Sequence, residues 1–193
     1  MANPETFKAE RLSAFSDGVI AIIVTIMVLE LHAPESGDPH DLLRLWPVIG
    51  AYALSFVFVA IYWVNHHHLL HANPQVNQTS LWLNIHWLFW LSLVPFATSY
   101  LNASHASPFS LACYAGMSII TAIAYRLLGT ALSQSNPSDR NLIVAPARRR
   151  LNSMAVASNV LAIPAAYVSP ALAILLLVIP AGLYFLPDMQ HRG

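Results

Sequence analysis

Charge is what this sequence has least of. Only 9% of its 193 residues are Asp, Glu, Lys or Arg, against about a quarter in an ordinary soluble domain. With 56% apolar residues and a mean hydropathy of +0.55, too little charge remains to cover a water-exposed surface. That argues against a soluble globular enzyme and against a disordered or nucleic-acid-binding chain. Basic excess is missing too: nine Lys and Arg cancel nine Asp and Glu, so total charge names no partner. A single cysteine, Cys113, excludes an intrachain disulfide and any Cys-based zinc or iron–sulfur site. It lies in an apolar run and reads as a small buried hydrophobe. GxSxG, HExxH, paired intramembrane aspartates and the Thr-Val-Gly-Tyr-Gly carbonyl filter are all absent.

What the sequence has instead is long apolar runs. A bilayer core of roughly 30 Å needs about 20 mostly apolar helical residues. Six stretches qualify, at about 12–31, 45–65, 81–101, 109–132, 150–167 and 170–187, so the expected fold is an all-α polytopic membrane protein forming one domain over 1–193. The fifth is the weakest, because Asn152, Ser153, Ser158 and Asn159 dilute it. Asp17 interrupts the first run and no small-residue cleavage site follows, so no cleavable signal peptide is expected. If the N-terminus is cytoplasmic, Lys8, Arg11, Arg126, Arg140, Arg148, Arg149, Arg150 and Arg192 fall inside and only Arg44 outside. This positive-inside bias predicts cytoplasmic N- and C-termini and an even number of spans. Trp46, Tyr62, Trp63, Trp82, Tyr100, Tyr167 and Tyr184 cluster near span ends, as an aromatic headgroup belt would.

The first span is the unusual one, because it carries Ser16, Asp17, Thr25 and Glu30. Ionisable groups within a membrane helix are costly and face protein or water. At 100° per residue, Ile22, Ile26 and Leu29 fall within about 60° of one another, with Gly18 and Thr25 at the edges of that stripe. Asp17 points about 140° away from it. The stripe fits ordinary packing against a neighbouring helix, which is the plainer reading from spacing alone. It also fits a pore wall, where aliphatic rings form a dewetting constriction. The second span returns to the depth of Asp17 with His66, His67 and His68, which suggests an Asp–His pair or network joined by Arg11. Asn84 and His86 enter the bilayer from the same side and would complete it. Three consecutive histidines cannot all ligate one ion; only His67 and His71 share a face, so no metal site is expected.

The string Arg11-x-x-x-Phe15-Ser16-Asp17-Gly18-Val19-x-Ala21-Ile22-x-x-Thr25-x-x-x-Leu29-Glu30-Leu31 closely resembles the first-helix signature of the endosomal and lysosomal potassium channel family, in its single-repeat bacterial branch. Tyr62-x-x-x-His66-His67 and Leu93-x-Pro95-Phe96-x-Thr98 match as well. The resemblance implies a potassium-preferring cation leak channel without enzymatic turnover or cofactor, in the inner (plasma) membrane of a bacterium. It implies a homotetramer of six-helix subunits, with four copies of the first helix around a central pore. Ile22 would be the narrowest hydrophobic ring, Ile26 and Leu29 further rings toward the outside, and Thr25 a hydroxyl layer aiding selectivity. Arg11, Phe15, Ser16, Asp17, His66, His67 and Asn84 would form a structural signature network. Its partners would be potassium ions and the lipid bilayer. The alternative is a proton-coupled secondary transporter using Asp17 and the His66–His68 cluster.

Overall fold

The structure, a computed structural model, describes residues 7–34, 37–135 and 146–184. Arg140 and Arg192, counted above on the inner side, and the end of the sixth run lie outside them.

The first run folds as α1, Ala9–Leu29. Its 21 residues reach about 31 Å at 1.5 Å per residue, enough to cross a bilayer core. Just before it, β1 (Phe7–Lys8) pairs antiparallel with β2 (Gln75–Val76), Phe7 opposite Val76. That two-residue ladder fixes the start of α1 to the far end of α3, Trp46–His71, so the two helices run in opposite directions. Between them lies a short helix, α2 (Pro39–Arg44), where the sequence reads as loop. Asp38 caps it by accepting the His40 amide at 2.8 Å, and Arg44 pairs with Asp41 at 3.3 Å.

The third run is one span broken in two: α4 (Gln78–Leu91) and α5 (Val94–Ala103). Pro95 has no N–H for the Leu91 carbonyl, and the chain tightens there, Leu93 N–H donating to the Trp90 carbonyl at 3.2 Å. At the far end the chain leaves α5 through a left-handed turn, with φ of 50° at His105. The Ala106 N–H bonds back to the Leu101 carbonyl and the His105 N–H to that of Asn102, satisfying the last carbonyls of the helix. Then come α6 (Pro108–Ser135), α7 (Pro146–Val168) and α8 (Pro170–Leu183). Pro170 separates α7 from α8, and Ser169 caps α8.

Counting α4 and α5 as one span, five described spans are long and apolar enough to cross a membrane; α8, at 14 residues, is a shorter apolar helix. α1 packs mainly on α3, beside α4 and α5, while α6 touches α4, α5, α7 and α8. The core centres on fully buried Trp87, which stacks on His66 with ring centroids 4.8 Å apart and lies against Tyr62 and Tyr125. Ala162, Ala165 and Ala166 on α7 and Ala173 on α8 are buried, small residues of the kind that let packed helix backbones approach.

Three of the four polar residues that weakened the fifth run turn inward, Ser153 alone being exposed. Ser158 donates to the Leu176 carbonyl at 2.5 Å, Asn152 accepts from the Tyr184 hydroxyl at 3.0 Å, and Asn159 is buried. Cys113, in contrast, is exposed on α6 rather than buried. The lipid-facing side of a membrane helix is as apolar as its packed side, so an apolar neighbourhood does not locate a residue inside.

A bare helix face and the polar network behind it

α1 presents two unlike faces. Leu12, Ser16, Ile20, Ile23 and Met27 are buried against the rest of the subunit. On the opposite side Ile22 is 59% exposed, Leu29 73%, Phe15 55% and Ile26 44%. Arg11, Gly18 and Thr25 share this open side. Among the exposed positions, which also include 14, 21, 26 and 28, the series 11, 15, 18, 22, 25 and 29 alternates steps of four and three. That is the 3.5-residue spacing of a seam along which helices pack on copies of themselves. Thr25 directs its hydroxyl proton to the Ile22 carbonyl at 2.9 Å, which leaves its oxygen lone pairs facing the same open side.

The buried side is fastened by a polar chain across three helices. The Ser16 hydroxyl donates to the Leu12 carbonyl at 2.8 Å and accepts from Asn84 Nδ2 at 2.9 Å. Asn84 Oδ1 then faces His66 Nε2 at 2.8 Å. Because the Ser16 proton is used by Leu12, Asn84 must donate to Ser16 and accept from His66, which sets the Nε2–H tautomer of the imidazole. His66 Nδ1 has no partner among the described residues. All three side chains are fully buried. Ser16, Asn84 and His66 are thus brought together, as the sequence suggests.

Asp17 belongs to a different contact. Its carboxylate accepts from Trp63 Nε1 at 2.8 Å and from Ser13 Oγ at 3.3 Å, so its partner on α3 is an indole and not a histidine. Arg11 lies six residues, or about 240°, before Asp17 and forms no ion pair among the described residues. His67 is exposed and stacks on His71, with ring centroids 6.5 Å apart, while His68 bonds to the Val64 carbonyl. His86 accepts from Trp90 Nε1 on its own helix. No group of three His, Cys, Asp or Glu able to hold a metal occurs among the described residues.

Two further polar contacts were not anticipated. Glu30, just past the end of α1, accepts from Ser99 at 2.7 Å. Within the bundle, Thr98 meets Ser55 at 2.7 Å and Ser55 meets the Tyr114 hydroxyl at 2.9 Å, which joins α5, α3 and α6. Hydroxyls recurring inside otherwise apolar runs are the available sequence signal for such a cluster.

Residues 11–95 match the family model described as endosomal/lysosomal potassium channel TMEM175. The chain is 40% identical over 180 residues to a protein named potassium channel from Chryseobacterium sp. strain P1-3, covering 93% of this chain and 94% of that one. It is 33% identical to a second, from Streptomyces collinus, covering 72% and 71%. Among solved structures it is similar to a lysosomal potassium-selective channel TMEM175 homolog from Chamaesiphon minutus. The TM-score there is 0.80 at 26% identity, covering 94% of this chain and 98% of that one.

Proposed function

The chain belongs to the TMEM175 family of potassium channels, multi-pass membrane proteins, and on that premise we propose that it is a potassium-preferring leak channel of a bacterial inner membrane. Four six-helix subunits, termini cytoplasmic, enclose a pore lined by α1. Ile22 forms the narrowest ring, and Ile26 and Leu29 continue the wall for about 10 Å outward. Thr25 supplies a hydroxyl layer between them. Ser16, Asn84 and His66, with Asp17 on Trp63, hold the wall in place rather than touch the ion, while Arg11 and Phe15 continue its open side toward the cytoplasm and His67 takes no part.

The observation that carries this reading is the bare, heptad-spaced face of α1. A subunit that buries Ser16 while leaving Ile22 59% exposed and Leu29 73% exposed presents a regularly spaced apolar seam on its outside. Self-association around an axis covers that seam, and closed rotational symmetry is the usual solution for copies of one chain. Aliphatic rings offer no ligands to replace a stripped hydration shell, so the constriction acts by width and dewetting, and discrimination between cations is moderate.

Single-channel recording of reconstituted protein under bi-ionic potassium and sodium tests it. Unitary steps with a reversal potential favouring potassium are expected; saturable flux without steps would point to the transporter alternative. That alternative needs Asp17 hydrogen-bonded to a histidine, and the carboxylate's bonds go to Trp63 and Ser13 instead.

Two substitutions separate the wall from its support. Thr25→Val keeps the shape and removes the hydroxyl, so the potassium-to-sodium permeability ratio should fall about fivefold, the equivalent of one hydrogen bond of ~1 kcal/mol. An unchanged ratio would remove Thr25 from selectivity. Asp17→Ala should lower the recovery of intact tetramer while leaving that ratio as it is, because the carboxylate ties α1 to α3 through Trp63 by a bond worth about 1 kcal/mol. Trp63→Phe should reproduce most of this loss. A stable Asp17→Ala tetramer with altered ion preference would contradict the supporting role.

A further inference from the structure

A crevice runs between α3, α6, α7 and α8, away from the open face of α1. Its walls are mainly apolar, with Phe58, Val156 and Leu177 among them. Asn65, Asn152 and Tyr184 also line it. There they form a chain, Asn65 donating to the Tyr184 hydroxyl at 2.6 Å and that hydroxyl donating to Asn152 at 3.0 Å. Asn65 lies in the last third of α3, Asn152 near the start of α7 and Tyr184 just past α8, so this polar group marks the cytoplasmic end.

Arg126 also lines the crevice. Its neighbour Tyr125 touches Tyr62, one turn of α3 before Asn65, so Arg126 enters the membrane about 5 Å deeper than the amides. An arginine side chain is long enough to bring its guanidinium back across that turn. A membrane-embedded arginine needs a counter-anion or water. None of the four helices that wall the crevice contains an Asp or a Glu. Arg126 accordingly makes no ion pair among the described residues. Among the described residues, the walls of the crevice therefore supply no anion for it.

We infer that this crevice is a binding site for an anionic glycerophospholipid of the cytoplasmic leaflet, its phosphate on Arg126 with the Asn65–Tyr184–Asn152 chain beside it and one acyl chain along the apolar walls. Three features select this occupant over a soluble anion. The walls are apolar along their length, the charged end faces the leaflet on which the positive-inside bias places most basic residues, and an arginine fork is a bidentate ligand for a phosphodiester. The site lies within one subunit, so it stands or falls independently of conduction.

Native mass spectrometry of the full-length protein tests it, after purification in nonionic detergent with equimolar phosphatidylglycerol and phosphatidylcholine. Wild type should retain phosphatidylglycerol over phosphatidylcholine by about tenfold, at about one lipid per subunit. Arg126→Gln should bring the ratio to about one, since the charge is what discriminates. Ala155→Phe, which narrows the walls and leaves the charge, should lower retention of both lipids, while Arg44→Gln on the opposite side should change neither. Equal retention of the two lipids by wild type overturns the assignment even if the crevice variants fail to fold. So does an undiminished phosphatidylglycerol preference in a folded Arg126→Gln protein.

Discussion

Ile22→Asn raises potassium flux into liposomes roughly tenfold or more. The expectation rests on what an aliphatic ring does to an ion. In the proposed tetramer, isoleucines meeting at an axis would offer no donors or acceptors, so water and a hydrated cation would pass only by giving up solvation. Exposing an isoleucine-sized side chain to water costs about 1.5–3 kcal/mol, and each 1.36 kcal/mol removed from a barrier is tenfold in rate. An amide at this position is smaller and binds water, so the change both widens the ring and wets it. Ile22 is also 59% exposed on the subunit surface, so the substitution disturbs little of the core. Flux indistinguishable from wild type, in protein that still assembles, would remove Ile22 from the constriction.

Asn84→Ala has the largest expected effect on stability. It deletes the hydrogen-bonded link between Ser16 on α1 and His66 on α3, and leaves the imidazole Nε2–H unpaired beside an Nδ1 that already has no partner among the described residues. Hydrogen bonds within membrane bundles contribute less than a gas-phase view suggests, because the unfolded helices find other partners. Two lost bonds and an orphaned buried donor should together cost about 1–3 kcal/mol. For a chain of this size the melting temperature should fall by roughly 5 °C. Ser16→Ala, which removes only one end of the chain, should cost less. Thermal unfolding of the two variants measures the difference, and equal stability of Asn84→Ala and wild type would show that this network does not hold α1.

The apolar stripe of α1 could be read from residue spacing, because helical periodicity depends only on position within one element. Ile22, Thr25, Ile26 and Leu29 share a side, and Asp17 points elsewhere, whatever the neighbours are. Whether that side meets another helix of the subunit could not be read, since a packed face and a bare one are equally apolar. The partner of Asp17 was hidden for a related reason. Trp63 lies 46 residues away and looks like one more belt aromatic until its indole N–H is seen to donate to the carboxylate. Of the other aromatics in that expected belt, Trp46, Trp82 and Tyr167 are largely exposed, whereas Tyr62 packs against Trp87 and Tyr184 bridges two asparagines.

Composition likewise cannot choose among three adjacent histidines. Their 100° rotations send His66 into the core beside Trp87 and leave His67 and His68 exposed. The break between α4 and α5 was legible in Pro95, but a hydropathy window averages over it. The weak fifth span shows the opposite error. Polar residues that lower a hydropathy sum strengthen a bundle when, like Ser158 and Asn152, they bond to a neighbouring helix.

The central claim is that copies of α1 enclose the ion path with Ile22 at its waist, and cysteine accessibility tests it most directly. Cys113 is first replaced by Ser, which leaves a chain without thiols. Ile22→Cys is then introduced, and potassium flux is measured before and after a cationic methanethiosulfonate, with mass spectrometry confirming the reaction. Flux should fall to the level of protein-free liposomes, because a charged adduct at the waist fills the path. Full modification with undiminished flux would mean that ions cross elsewhere, and the account would be wrong.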